Sequence, residues 1–163
     1  MKISALSSGS SGNSFYIKTN NTGILIDAGI SCKQIFEKLN SLKENPKNIS
    51  AIFTTHEHAD HTRGADVLAR NLNIPIYTTK GTASNSFLCS DSEKIITIKN
   101  TETIKIKDLE IVAFSKSHDC SDPISFTVKS QEKTTSIITD IGFACNNVVS
   151  SIENSDTIII EAN

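Results

Sequence analysis

The chain has 163 residues, 37% of them hydrophobic and 21% charged. That is enough for one compact domain with its own core, spanning 1–163, and it fits a water-soluble globular protein. Its formal net charge is −2 and its pI is near 6.1, so no global basic field advertises nucleic-acid binding, although metal ions can supply local positive charge to a phosphodiester site. No segment approaches the length of a membrane span, and the apolar stretch near Met1 is too short for a signal peptide. Cys32, Cys89, Cys120 and Cys145 are widely spaced and form no C-x-x-C pair. A cytoplasmic protein with reduced thiols is the expectation.

Ser7 to Asn13 is a loop of serines and glycines between two strands. Its backbone N–H groups can cradle an anion, but it carries no lysine, and a turn is the simpler reading. Phe15-Tyr16-Ile17-Lys18 and Gly23-Ile24-Leu25-Ile26-Asp27 predict a hairpin joined at Asn20-Asn21. Ser31 is a natural N-cap for a helix with Ile35, Phe36 and Leu39 on its apolar face. The run 50–55 predicts a buried strand, 62–72 a helix, 74–77 a short strand entered through Pro75, and 82–88 a weak helix. Strands are then predicted at 94–98, 102–106, 109–115, 124–129 and 134–139, followed by a helix near 144–152 and a last strand at 157–161. The pattern is α/β with largely consecutive strands in its sheets rather than a clean βαβ alternation.

Directly after the buried strand stands His56-Glu57-His58-Ala59-Asp60-His61, which holds three of the chain's four histidines. In an extended segment residues two apart share a side, so His56 and His58 can reach one ion. Asp60 and His61 fall where the chain turns and can serve a second. Imidazole nitrogen with carboxylate oxygen suits zinc, manganese or iron better than calcium or magnesium. A lone histidine is more often a partly buried polar residue than a ligand, but packing has no reason to gather three of them at one strand end.

His118 follows the strand 109–115 in Ser117-His118-Asp119-Cys120-Ser121-Asp122-Pro123. It either completes a three-histidine site with His56 and His58 or is a surface loop histidine. Cys120 can approach a metal, but a small buried thiol is its simpler role. Asp27, Asp140 and Glu161 each end an apolar strand, where an acid is either a cap or a site residue. A non-ligand acid in such a place, as Asp27 is read here, often orients a metal-bound histidine. With His118, four strands deliver acids or histidines to their C-terminal ends, which favours one shared site. Arg63 and Lys33 are candidate phosphate contacts, with solvated surface charge as the simpler reading.

With these residues in place, the chain resembles the metallo-β-lactamase superfamily: Asp27, Thr55-His56-Glu57-His58-Ala59-Asp60-His61, His118 and Asp140 fall in that family's order. The resemblance implies an αβ/βα sandwich with a metal site at one sheet edge. It implies two divalent ions, most simply zinc, with His56, His58 and His118 on one, and Asp60, His61 and a bridging Asp140 on the other. Ser8-Gly9-Ser10-Ser11-Gly12-Asn13, Leu25-Ile26-Asp27-Ala28-Gly29, Thr139-Asp140-Ile141-Gly142 and Glu161-Ala162-Asn163 are similar to the WalJ/YycJ branch of cytoplasmic DNA exonucleases. That implies a phosphodiesterase acting on DNA, with Asp60 and Glu161 as its catalytic residues: Asp60 both binding metal and orienting the water, and Glu161 either assisting proton transfer or holding a metal-bound histidine.

Members of the branch continue past Glu161-Ala162-Asn163 to a further histidine. The expectation is therefore a chain lacking the second half of the sandwich and the last ligand of the second ion. A sheet face left open in this way predicts a homo-oligomer. Two other readings stay open: a hydrolase of thioester or lactam substrates on the same fold, and a truncated metal-binding fragment without turnover.

Overall fold

A computed structural model of the chain describes residues 1–20, 22–131 and 133–162. The fold opens with strands β1 (Lys2–Ser7), β2 (Ser14–Lys18) and β3 (Gly23–Ile26), then helix α1 (Cys32–Ser41) and strand β4 (Ile49–Phe53). Helices α2 (Ala59–Thr62) and α3 (Ala65–Leu72) lead to β5 (Ile76–Thr79), α4 (Lys80–Asn85) and β6 (Ile95–Ile98). Four strands follow, β7 (Thr103–Ile106), β8 (Leu109–Ser115), β9 (Ile124–Ser130) and β10 (Lys133–Ile141), then α5 (Asn146–Glu153) and β11 (Thr157–Ala162).

Two sheets form. One has six strands in the order β1-β2-β3-β4-β5-β6, and the other five in the order β11-β10-β9-β8-β7. In the first, β1, β2 and β3 are antiparallel, while β3, β4, β5 and β6 run parallel and end at one edge. Helical crossovers make that possible, because parallel neighbours cannot be joined by a tight turn. The second sheet is antiparallel except for the parallel pair β10–β11.

The two-residue period of a strand explains the apolar runs at β3 and β4. Leu25 and Ile52 face the helical layer with Ile35, Leu39 and Leu68. Ile24, Ile26 and Phe53 face the opposite way, into a core shared with Ile111, Phe126, Val128 and Ile137 of the second sheet. Phe53 stacks on Tyr77 at 4.9 Å and meets Phe126 edge-on at 5.4 Å. Both sheets of the sandwich are thus built by this chain, with their inner faces closed on each other. The open surface lies instead on the outer side of β11, where Ile158 and Ile160 are exposed, as are Phe143 and Val149. No helix among the described residues is long and apolar enough to cross a membrane.

Ser31 caps α1 as expected, in a capping box with Gln34. The helix expected at 62–72 is two helices broken at Arg63 and Gly64. Gly64 lies so close to the 28–30 loop that an added Cβ would sit 2.1 Å from the Ile30 carbonyl oxygen, and its N–H donates to the Ala28 carbonyl at 2.7 Å. The helix expected at 82–88 begins earlier, at Lys80, because the Thr79 hydroxyl accepts the Thr82 N–H and fixes the start. Strand β10 outruns its expected end and reaches Ile141, so Asp140 lies inside it rather than after it. Of the expected hairpin turn, Asn21 lies outside the described residues.

Candidate metal centre

Strand β4 leads its chain into Thr54, Thr55 and His56, all fully buried. His56 Nε2 lies 3.1 Å from His58 Nδ1, and His58 Nδ1 lies 3.3 Å from His118 Nε2. These nitrogens can hold one ion. A tetrahedral zinc with bonds of about 2.0–2.1 Å sets its ligand atoms about 3.3 Å apart, so the spacing and the donor chemistry fit. His118 arrives on the loop after β8, which is held by Glu57 accepting the Ser121 N–H at 2.7 Å and by Thr79 donating to the Asp122 carbonyl at 3.0 Å.

His61 starts a second group. Its Nε2 is 2.9 Å from Asp140 Oδ2, 3.4 Å from Asp60 Oδ2 and 3.2 Å from Asn13 Nδ2. His56, His61 and Asp140 together can also hold an ion. Burial works against a charge on His61, but Asp27 and Asp140 on its two nitrogens overcome it and push its pKa up to about 10. At His56 burial and the neighbouring His61 outweigh the opposing pull of Asp140 and hold its pKa well below the usual imidazole range.

Asp27 joins the two groups. It sits just past β3 in a left-handed conformation, φ 60°, fixed by its N–H donating to the Phe53 carbonyl at 2.8 Å. Its carboxylate accepts from the Thr55 N–H at 2.8 Å, the Thr55 hydroxyl at 2.9 Å and His61 Nδ1 at 2.7 Å. The Thr55 hydroxyl, having given its hydrogen to Asp27, accepts one from His56 Nδ1 at 2.9 Å. The network therefore places a proton on Nδ1 of both His56 and His61 and turns Nε2 of both toward the site.

The turn carrying Asp60 and His61 is fastened to neighbouring loops. Asn13 N–H donates to the Asp60 carbonyl at 2.7 Å and Ala28 N–H to the His61 carbonyl at 2.9 Å. Gly29 lies directly beneath, where an added Cβ would be 1.6 Å from the Asp60 carbonyl oxygen, so no other residue fits without moving the turn.

Every residue expected at the site is brought to this edge. His56, His58 and His118 converge, Asp140 and Asp60 flank His61, and Asp27 stands behind. Burial, and then the nearby Asp140 and Asp60, raise the pKa of Glu161. Cys120 is in neither donor group among the described residues, and burial and Glu57 push its thiol up to about 12. The serine-glycine loop is a turn: the Gly9 N–H goes to Asn13 Oδ1, the Gly12 N–H to the Gly9 carbonyl and the Asn13 N–H to Asp60. Arg63 and Lys33 are exposed, with Arg63 donating to the Ser11 carbonyl at 3.2 Å and Lys33 3.9 Å from Glu37.

Three contributors were given no role in the sequence: Asn13 and Thr55, which stand in the motifs quoted above, and Lys116. Thr55 carried one signal, a hydroxyl between a buried strand and a histidine. Lys116 is 6% exposed, and burial lowers its pKa against the opposing pull of Asp27 and Asp140.

The sequence model of the metallo-beta-lactamase superfamily matches residues 8–116. Exodeoxyribonuclease WalJ of Streptococcus pneumoniae is 35% identical over 167 residues, covering 99% of this chain and 62% of the relative. Exodeoxyribonuclease YycJ of Bacillus anthracis is 29% identical over 168 residues, covering 100% and 63%. The chain thus spans less than two thirds of the length of these curated relatives. Among solved structures, a subclass B3 metallo-beta-lactamase from a soil metagenome library superposes with a TM-score of 0.72 at 16% identity, over 92% of this chain and 73% of that one. That likeness concerns the fold alone. A histidine and acid cluster at the shared edge of two facing sheets, together with a family match over most of the chain, leads to one assignment: this chain belongs to the metallo-beta-lactamase superfamily.

Proposed function

We propose that the chain carries the dinuclear metal centre of a DNA exonuclease and hydrolyses phosphodiester bonds. The observation that carries this reading is the pair of donor groups joined through Asp27, one of His56, His58 and His118 and one of His56, His61 and Asp140, with Asp60 3.4 Å from His61; we assign His56, His58 and His118 to one ion and His61, Asp60 and Asp140 to the other. The exonuclease names of relatives matched along nearly the whole chain support DNA as substrate. Zinc is the ion we assign, on the nitrogen-rich donor set, with manganese or iron as the alternatives. Ions held by these residues would supply an acidified water and offset charge on the phosphoryl oxygens.

The chain's own residues do the rest. Asp27 and Thr55 fix the tautomers of His56 and His61. Asp60 is partly exposed beside His61, placed to orient the attacking water and take its proton as the new phosphorus–oxygen bond forms. Glu161, within the electrostatic reach of Asp140, His61 and Asp60, is the residue we assign to passing a proton to the ester oxygen that leaves as the old bond breaks.

The four described cysteines are free, which supports a reducing, cytoplasmic setting. We also propose that a second copy of the chain covers Ile158 and Ile160 on the free side of β11. A clean monomer by light scattering would rule that out.

The test is metal content by elemental analysis alongside digestion of end-labelled linear DNA. Two ions per chain with digestion are expected. His58→Ala should lower the rate by at least about 10³-fold, an effect of more than about 4 kcal/mol on the barrier, while leaving the melting profile of the metal-free protein in place. One ion or none, without digestion, would identify the chain as an incomplete centre. Digestion that survives His58→Ala would sink the proposed site.

A further inference from the structure

Strand β10 is interrupted where the site needs it. Its ladder with β9 ends at the pair Ile137 and Phe126, and its ladder with β11 breaks between Ile138 and Ile141. Thr139 and Asp140 lie in that gap, and Asp140 takes a left-handed conformation, φ 50°, which a non-glycine residue holds only when its surroundings impose it. A buried carbonyl that leaves a ladder needs another donor. Lys116 supplies it: its Nζ donates to the Thr139 carbonyl and lies 3.4 Å from the Thr139 hydroxyl. On the far side of Asp140, Gly142 N–H donates to the Ser117 carbonyl at 2.8 Å. Adjacent residues 116 and 117 therefore grip both sides of Asp140, and His118 of the other donor group comes next in the chain.

We propose that Lys116 is a positioning residue for the second ion: by bonding the Thr139 carbonyl it holds Asp140 in the left-handed turn that keeps its carboxylate on His61. This rests on the metal-centre reading above. An ammonium among Asp27, Asp140 and Glu161 also has an opposite effect, because removing its charge alone would strengthen the pull of those acids on a cation. Positioning predicts a weaker second ion on removal, and charge alone predicts a tighter one.

Zinc titrated into the metal-free protein separates these. Wild type should take up two ions. Lys116→Met should weaken the second by about 10–100-fold, as lost support of a ligand does, and leave the first within about threefold. Lys116→Gln, which keeps a donor without the charge, should recover most of the loss. A second ion unchanged or tighter in Lys116→Met would overturn the proposal, as would loss of both ions together in a folded variant, or a Gln variant no better than Met.

Wild type that takes up fewer than two ions would instead remove the two-ion reading, and a metal-free measurement then tests Lys116 by itself. Lys116→Met should lower the melting temperature in an Asp140→Ala background, and by less than half as much in Asp140→Gly, where the left-handed turn is unstrained. Equal losses in both backgrounds would overturn the proposal. If the Met variant does not fold, Lys116→Gln is read by the same comparison, and its failure to fold would overturn the proposal as well.

Discussion

The two donor groups are built in opposite ways. His56, His58 and His118 face one another nitrogen to nitrogen, 3.1 and 3.3 Å apart, and they are gathered from the segment after β4 and a loop of the other sheet, so the group exists only once the two sheets have docked. His61 is already bonded on both nitrogens, to Asp27 at 2.7 Å and Asp140 at 2.9 Å. The first group brings three imidazole nitrogens together around a place for a cation. The second is a network of hydrogen bonds and ion pairs already made without one. An ion therefore contributes more to ordering the first group, and must displace existing bonds to enter the second. The two are not independent, because the Asp27 carboxylate orients His61 directly and His56 through Thr55.

Breaking that shared anchor should give the largest effect after loss of a histidine. Asp27→Asn keeps the shape but places an amide N–H₂ where one carboxylate oxygen accepted. It can still accept the Thr55 N–H, but it then meets the Thr55 hydroxyl and His61 Nδ1 with a donor. His61 is driven to the tautomer with hydrogen on Nε2, the nitrogen that faces Asp60 and Asp140. The expected result is a loss of about 10–100-fold or more in metal affinity, felt by both groups. Zinc titration reads it, and a variant that loses neither ion would show that the network does not set the tautomers.

How much of this was readable beforehand follows from what kind of residue carries the signal. The cluster at 56–61, with Asp27, His118, Asp140 and Glu161, was legible because histidines and acids at the ends of apolar strands have few other reasons to be there. The sandwich was legible because β3 and β4 are apolar on both faces and the later strands follow one another closely. Thr55 stood in the motif but its role was not legible, since threonine is an ordinary strand residue and that role depends on a carboxylate 28 positions away in the chain. Lys116 was not, since a lysine just past a strand normally reaches water, and only the break in β10 explains why this one is buried. The split at Arg63 and Gly64 was hidden because the approach of the 28–30 loop, not helix propensity, decides it.

Thr55→Val sharpens the contrast by touching one group. The backbone N–H still bonds Asp27, and Asp27 still bonds His61, but the His56 Nδ1 hydrogen loses its acceptor in a fully buried place. A buried donor left unpaired costs about 1–3 kcal/mol, so a small drop in melting temperature is expected. Affinity at the three-histidine group should fall by about tenfold, with the His61 group unchanged. Equal weakening of both ions would mean that Thr55 acts through Asp27 rather than on His56.

The smallest effect belongs at the opposite end of the first sheet, where Glu44 bonds Lys18 at 2.6 Å and Lys2 at 2.9 Å. The hydrogen bonds from Lys18 and then Lys2 hold the Glu44 carboxyl below its ordinary value of 4.5. A lowered pKa in the folded state means the unfolded chain binds the proton more readily, so this contribution is complete above 4.5 and is lost as pH falls through the lower, folded value. Glu44→Gln should therefore melt slightly earlier than wild type at neutral pH, and the difference should close in acid. Added salt should narrow it too, because Lys2 is largely exposed. Zinc uptake should not change, since no residue of either donor group touches Glu44. A difference in melting that persists below the carboxylate range would place the effect in the packing of the Glu44 side chain rather than in its charge, and the far end of the sheet would then differ from the metal edge in kind: one held by shape, the other by a network of protons.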